Sequence, residues 1–426
     1  MAQQTSLIDL PFNPAASYKL HIDLNACFAS VEQQANPLLR GKPLAVAAYA
    51  SNWGCILAPS IEAKKWGIQT GMRVKDARVI CPQLLVLPPD PWKYRIIHLR
   101  LNKLLSRYSD VVVPKSIDEF VVDFKFSPYK NKGILAVGKE IKERIRKEIG
   151  DWLTVSIGIA PNRFLAKTGA GLHKPNGLDE INQFNYQQIF KQLKLTDLCG
   201  IADKNERRLN RLGIYNVWDF YQAPIWKLKA AFESINGYYW YLRLRGFEID
   251  DIDFDRKSFG NSFALPPELD TVESLIPVML KLTEKMGARV RQGGYKAGGV
   301  HLSLSFRDGR HWGHGVTLGR EIFDSRDIFQ ELVKVLSQCP VKKPVRVVAV
   351  TCFDLQPGGT TQLELFKNVA KQEDVVKAMD AVNQKWGSFV VSPAKMMSAK
   401  ELVQDRIAFG NVKELEDFAK RYQVII

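Results

Sequence analysis

Leu20-His21-Ile22-Asp23-Leu24-Asn25 and Ser116-Ile117-Asp118-Glu119 decide how this chain is read. Each places acid at the end of an apolar, β-like run. The first leads straight into a helical segment with Phe28 in its opening turn. Val111-Val112-Val113 and Phe120-Val121-Val122-Asp123-Phe124 flank the second, which puts Asp118 and Glu119 at or near a hairpin turn. Adjacent residues of a regular strand face opposite sides of a sheet. Only a turn or bulge lets both acids address one site. Three carboxylates on strand ends suit a Mg²⁺-dependent phosphoryl-transfer centre, because Mg²⁺ is held by one or two carboxylates plus substrate phosphates. If the two segments meet, the chain acts on nucleoside triphosphates.

The chain has 426 residues, enough for two or three domains, and 46% hydrophobic residues to fill their cores. No apolar run is long enough to span a bilayer. The first 17 residues lack a basic region followed by a long apolar stretch, so no signal peptide is evident and a cytoplasmic location is expected. Six scattered cysteines form no CxxC pair, which fits reduced thiols and disfavours a zinc site. The net charge of +15 suits a polyanion, either nucleic acid or an anionic membrane surface. Residues 281–320 carry Lys281, Lys285, Arg289, Arg291, Lys296, Arg307, Arg310 and Arg320 among Tyr295, Phe306 and Trp312. Such a stretch can track a phosphate backbone; an ordinary solvated β-surface has the same pattern.

Tyr18–Asp23 reads as a strand, with Asn25 as N-cap of the following helix. Pro43–Ala48 is a second apolar run, and residues 60–66 read as a helix stopped by Gly67. Ile134, Val137, Ile141, Ile145 and Ile149 repeat at helical spacing, closed by Gly150. A strand over Thr154–Ala160 and a helix from Asn162 to Leu172 follow. This order suggests an antiparallel or mixed sheet with helices on one face. Residues 178–247 look entirely helical. Within them, Leu198-Cys199-Gly200-Ile201 and Leu209–Ile214 resemble a helix-hairpin-helix, with Ala202 where a second glycine is usual. The Tyr238-Tyr239-Trp240-Tyr241 cluster is read as core. The acidic run 248–255 is a linker. Residues 256–355 form an α+β unit with strands His301–Phe306 and Val345–Phe353 and helices near 271–290 and 326–337. The tail, 367–426, includes a helix with Val375, Met379, Val382 and Trp386 on one face.

Together these motifs resemble the signatures of the Y-family, or translesion, DNA polymerases. Asp23-Leu24-Asn25-Ala26-Cys27-Phe28-Ala29-Ser30-Val31-Glu32 looks like the first, Ser116–Glu119 the second and Lys174-Pro175-Asn176-Gly177 a third. The resemblance covers roughly residues 18–355. It is to the bacterial polymerases IV and V, with Ser51-Asn52, Gly54-Cys55 and Glu62-Ala63-Lys64 leaning toward the polymerase V catalytic subunit. It implies an α+β right-hand polymerase: leader 1–17, ferredoxin-like palm 18–25 and 80–177, fingers 26–79, helical thumb 178–247, linker 248–255, little finger 256–355, clamp-binding segment 356–366 and extension 367–426.

By the same resemblance, Asp23, Asp118, Glu119 and the Leu24 carbonyl hold two Mg²⁺ ions, with Mn²⁺ as a substitute. The amides of Ala26, Cys27 and Phe28, with Lys64 and Lys174, bind the triphosphate. Asn25 has no metal role. Phe28 is the steric gate against a ribose hydroxyl; read in isolation it is a core aromatic. Many relatives have Tyr and Arg where Ile61 and Lys64 stand, so the triphosphate clamp is thinner here. Gln362-Leu363-Glu364-Leu365-Phe366 looks like a β-clamp-binding peptide, with Gln362, Leu363, Leu365 and Phe366 as contacts; a chance pentapeptide or edge strand is the bland alternative. Primer–template DNA, dNTPs, the clamp and accessory SOS subunits are the implied partners, with no membrane. The expected reaction adds dNMP to a primer 3′ end and releases pyrophosphate. Two other readings are a catalytically silent DNA-binding repair scaffold, opposed by the intact acids, and a nucleotidyl cyclase, opposed by the basic little finger and the Lys174 motif.

Overall fold

The computed structural model describes residues 10–251, 256–265, 272–340, 343–358, 369–387 and 389–399. They form two compact units, one on each side of residue 252.

The first unit is built on a five-stranded sheet of order β5-β6-β1-β7-β8: β1 (Lys19–Leu24), β5 (Val112–Pro114), β6 (Glu119–Asp123), β7 (Val155–Ala160) and β8 (Leu178–Glu180). All pairs are antiparallel except β7–β8. Register sorts the side chains. Leu20 and Ile22 lie beside Val122 and Phe120 of β6 and beside Ile159 and Ile157 of β7. This apolar face is buried under α4 (Pro91–Leu105) and α5 (Ile134–Arg144) through Tyr94, Ile97, Leu101, Val137 and Ile141.

His21 and Asp23, each offset by one from that set, share the other face, opposite Gly158 and Ser156. There α6 (Arg163–Leu172) lies so close that a Cβ on Gly158 would collide with the Ala166 carbonyl and the Ala170 amide. Asn162 caps α6 by accepting the Leu165 N–H at 2.8 Å. Helices therefore cover both faces, not one as the sequence order suggested. The reason is the parallel β7–β8 pair, which needs a crossover helix. Strand β8 also corrects the expectation that residues 178–247 are all helical.

A second sheet, β3-β2-β4, comprises β2 (Leu44–Ala47), β3 (Ile56–Pro59) and β4 (Leu85–Leu87). It packs with α2 (Ile61–Lys65) and α3 (Val74–Ile80) around Ala45, Ile56, Val74, Ala77 and Leu84. Because β4 pairs with β2, this lobe runs past the expected boundary at residue 79. Helix α1 (Cys27–Ala35) follows β1 directly.

Helices α7 (Tyr186–Gln192), α8 (Asp203–Arg211), α9 (Val217–Gln222), α10 (Ile225–Phe232) and α11 (Asn236–Leu244) enclose Phe190, Leu209, Phe220, Leu228 and Trp240. Trp240 and Tyr241 are buried as core residues, whereas Tyr239 is exposed. The turn before α8 holds Gly200 at φ +94°, a conformation that side chains with a Cβ rarely adopt. Phe12 inserts into this core and stacks on Tyr186 at 4.2 Å, and the Leu10 amide donates to the Tyr241 hydroxyl at 2.8 Å. Residues 10–13 are thus part of a packed domain rather than a free leader.

The start of the expected linker is held as well. Asp250 pairs with Arg243 at 2.5 Å, and Asp251 pairs with Lys19 and Arg163. Residues 252–255 lie outside the described chain.

The second unit is a sheet of order β11-β10-β12-β9, all antiparallel: β9 (Ser258–Ala264), β10 (Tyr295–Phe306), β11 (His311–Ile322) and β12 (Val345–Pro357). Its core joins Val300, Leu302 and Val350 to Met286 of α12 (Val272–Gln292) and to Ile328 and Leu332 of α13 (Ser325–Ser337).

Several cations of the 281–320 stretch are committed inside this unit. Arg291 forms a two-point ion pair with Asp380 at 2.6 and 2.8 Å, and Lys296 reaches Glu373 at 3.2 Å. Arg310 pairs with Asp308, Arg320 with Asp327, and Lys281 and Phe306 are buried. The acids Glu373 and Asp380 sit on α14 (Val369–Trp386), which is thereby fastened to the same unit. On the face that carries Val375, Met379, Val382 and Trp386, Met379 is half-buried and the other three are exposed, while the neighbouring Val376 is buried. Ion pairs of Asp380 and Glu373 anchor this helix.

Candidate active site

Strand β1 delivers Asp23 directly opposite Glu119, the first residue of β6. The turn between β5 and β6 supplies Asp118. Its backbone carbonyl accepts the Leu24 N–H at 3.0 Å, so the two motifs are joined main chain to main chain. Ser116 shapes the turn: its hydroxyl accepts the Glu119 N–H at 3.1 Å and donates to Asp118 Oδ1 at 2.5 Å. From α4, His98 closes the turn from behind, with Nδ1–H donating to the Ile117 carbonyl at 2.9 Å. The turn interrupts the strict alternation of the strand: Glu119 stands opposite Asp23, and the Asp118 carboxyl, held by Ser116, lies within the field of both.

Ligand atoms of Asp23, Glu119 and His21 lie within 4.8 Å of one another, a group that the Asp118 carboxylate does not join. Burial raises the Asp118 carboxyl above the usual range; the Ser116 hydrogen bond opposes this, and the charges of Asp23 and Glu119 add to it. Concentrated negative charge of this kind, on oxygen donors, fits a hard divalent cation. His21 is buried with its Nε2 unpartnered, and its pKa is pulled down to about 3, first by burial and then by Lys167.

Three lysines face the acids. Lys174 donates to Asp23 Oδ2 at 2.5 Å. Lys167, on α6, donates to both Glu119 oxygens at 2.9 and 2.8 Å. Lys64, on α2, is lowered by burial and then by the charge of Lys174, which places it in the same field.

Asn25 does not cap α1, contrary to expectation. Its amide donates to Thr154 Oγ1 at 3.2 Å and its carbonyl oxygen accepts from Ser156 at 2.9 Å, tying β1 to β7. The N-cap is instead Ala26, at φ 50° and ψ 42°, with no side-chain cap. That left-handed conformation costs a non-glycine residue about 1 kcal/mol. An uncapped helix start presents N–H groups and the positive end of the helix dipole, which suits an anion. Cys27 is fully buried, and burial followed by the Asp118 and Asp23 charges pushes its thiol up, so it stays protonated.

Phe28 is 2% exposed and stacked on Tyr94 at 4.2 Å and 12°. Tyr94 is itself held, donating to Glu32 at 2.9 Å and accepting the Asp90 N–H at 3.1 Å. The ring is therefore backed by a fixed wall.

Two family models match the chain: the impB/mucB/samB family over residues 22–170, and the impB/mucB/samB family C-terminal domain over residues 256–365. The DNA polymerase IV 1 of Bacillus subtilis (strain 168) is 32% identical over 390 residues, covering 89% of this chain and 93% of that protein. The DNA polymerase IV of Moorella thermoacetica is 32% identical over 381 residues, covering 87% and 94%. Among solved structures, a Y-family DNA polymerase chimera superposes with a TM-score of 0.68 at 25% identity, covering 79% of this chain and 98% of that one. The chain belongs to the Y-family of DNA polymerases. It is a translesion-type, DNA-directed DNA polymerase with a palm and a little finger domain, acting on primer–template DNA and dNTPs. Among the described residues no helix is long and apolar enough to cross a membrane.

Local pattern in the polymerase's sequence does not single out Lys167, His98 or Tyr94. Lys167 lies seven residues before Lys174, inside α6, whereas Lys174 follows the helix end at Leu172. All three act through tertiary contacts that no local pattern announces.

His98 also carries a pH prediction. Burial lowers its pKa below the ordinary 6.5, and the Ile117 hydrogen bond only partly opposes this. The unfolded chain then binds a proton that the folded chain refuses, so stability falls as pH drops below about 6.5, and His21 acts in the same direction. His98→Phe keeps the stack on Phe120 and flattens the stability–pH slope between pH 5 and 7 by up to about 1.4 kcal/mol per pH unit. Urea titrations at pH 5, 6, 7 and 8 measure it; parallel slopes for both proteins would refute the assignment.

Proposed function

We propose that Asp23, Asp118, Glu119 and the Leu24 carbonyl are the cation ligands of this polymerase, and that Mg²⁺, with Mn²⁺ as a substitute, is the cation. The observation supporting this is that Asp23 and Glu119 face one another across β1 and β6, with Asp118 in the adjoining turn feeling the charge of both and Lys174 bonded to Asp23. When bound, a pair of such ions supplies Lewis acidity to the primer 3′-hydroxyl and charge compensation to the triphosphate. The chain's own residues do the rest. The first-turn amides of Ala26, Cys27 and Phe28 meet phosphate oxygens at the uncapped start of α1. Lys64 and Lys174 supply positive charge, and an arriving triphosphate draws Lys174 off Asp23. Ile61, at the first position of α2, supplies no hydroxyl, so these lysines carry more of the anion's recognition. The Phe28 ring, fixed on Tyr94, stands against the sugar at C2′.

Primer extension on an annealed primer–template, with four dNTPs and Mg²⁺, tests the assignment. Stepwise extension by the parent and its loss in Asp118→Ala are expected; extension by Asp118→Ala at the parent's rate would overturn it. No observation favours the silent scaffold.

The Gln362–Phe366 peptide lies outside the described residues, and the β-clamp remains its proposed partner on sequence grounds. Leu365→Ala combined with Phe366→Ala should abolish capture on immobilised β-clamp and leave distributive synthesis unchanged. Undiminished capture would remove the peptide from that role. Accessory SOS subunits and a cytoplasmic location belong to the same proposal.

A further inference from the structure

The Lys167–Glu119 pair points to a device that the polymerase reaction alone does not require. Lys167 grips both oxygens of Glu119, while Lys174 holds only one oxygen of Asp23. Both ammonium groups stand where a divalent cation would draw its oxygen donors. Three carboxylates and two ammonium groups leave the cluster far less negative than the carboxylates alone. Lys174 has a destination when a nucleotide arrives, because the triphosphate competes for it. Lys167 does not: its position is set by α6, which is pressed onto β7 at Gly158 and capped by Asn162.

We infer that Lys167 is the resident counter-ion of Glu119, a positioning residue that the primer-side cation must displace and that therefore sets the cation affinity of that position. Lys167 keeps Glu119 aligned in the metal-free protein and prevents the acid cluster from acting as an indiscriminate trap for divalent ions. The inference rests on reading the three acids as the cation site.

Mn²⁺ binding to the full-length protein, without DNA or nucleotide, tests it by electron paramagnetic resonance. Lys167→Met should bind Mn²⁺ about tenfold more tightly, a change of about 1.4 kcal/mol, and Lys167→Arg should stay near the parent. In EDTA, Lys167→Met should melt below the parent, with Mn²⁺ restoring the difference. The Mg²⁺ concentration giving half-maximal extension should fall in Lys167→Met and not in Lys167→Arg. Equal or weaker Mn²⁺ affinity in Lys167→Met would overturn the inference. The side chain is 37% exposed, so the substitution leaves no buried cavity. Asp118→Ala separates the two levels. If it binds Mn²⁺ as the parent does, the reading of the acids fails; if it loses Mn²⁺ while Lys167→Met is unchanged, only the counter-ion role fails.

Discussion

Asp118→Ala should lower the kcat of primer extension by at least about 10³-fold, about 4 kcal/mol of barrier, without destabilising the fold. The two halves of this expectation have one cause. Asp118 is held where its ionised form is disfavoured, by burial first and by Asp23 and Glu119 after that, with Ser116 giving partial relief. A carboxyl raised above its unfolded value costs stability while ionised at neutral pH, and the cost disappears as pH falls below the folded value. Removing the charge relieves the same cost. Asp118→Asn, which preserves shape, should therefore be as inactive as Asp118→Ala, and its Tm in EDTA should rise by about 2–4 °C. Rapid-quench extension and thermal melting measure the two halves. Extension above a tenth of the parent rate would remove Asp118 from the site. A large drop in Tm would show that it is a structural residue of the β5–β6 turn.

Phe28→Ala should lower discrimination between dNTP and rNTP by about 100-fold, about 2.7 kcal/mol. A gate works only if it cannot retreat, and Phe28 cannot: Tyr94 lies flat against it, fixed by Glu32 and the Asp90 amide, with Lys93 on Glu32 at 2.7 Å. The same packing makes the substitution costly, about 3–5 kcal/mol for a buried Phe truncated to Ala. Selectivity must therefore be read as the ratio of kcat/KM for dCTP to that for CTP within one variant, where the folded fraction cancels. Phe28→Leu, which retains more volume, provides a second, more stable variant and should show an intermediate ratio. Unchanged ratios in both would leave Phe28 as a core aromatic with no part in sugar choice. Loosening the backing with Tyr94→Leu should move the ratio in the same direction as Phe28→Leu, because the wall then yields.

The legible parts of this molecule were those written in local pattern. The apolar runs around Asp23 and Asp118 gave the two central strands. The 3.6-residue repeat of Ile134, Val137 and Ile141 gave α5, and Asn162 gave the start of α6. Less legible were short or shared elements. Strand β8 has three residues and exists because β7 offers it a parallel edge; nothing in Leu178-Asp179-Glu180 alone distinguishes it from the helical region that follows. β4 is recruited by β2 in the same way. Asn25 has the composition of an N-cap, yet Thr154 and Ser156 compete successfully for its side chain. The basic stretch 281–320 was legible as charge but not as availability, because Arg291 and Lys296 are taken by acids about 80 residues away on α14.

The sequence by itself determined the acids, their placement at strand ends, the aromatic in the first turn of α1 and the lysine motif at 174, since each is a matter of residue type and spacing. Tertiary structure alone decided which face of the sheet the acids share, because pairing register converts a two-residue spacing into a common side. It also decided what stands opposite them. Lys167 on Glu119, His98 behind the turn and Tyr94 behind Phe28 arise from packing between elements distant in the chain, where burial, unlike local pattern, sets which charge meets which.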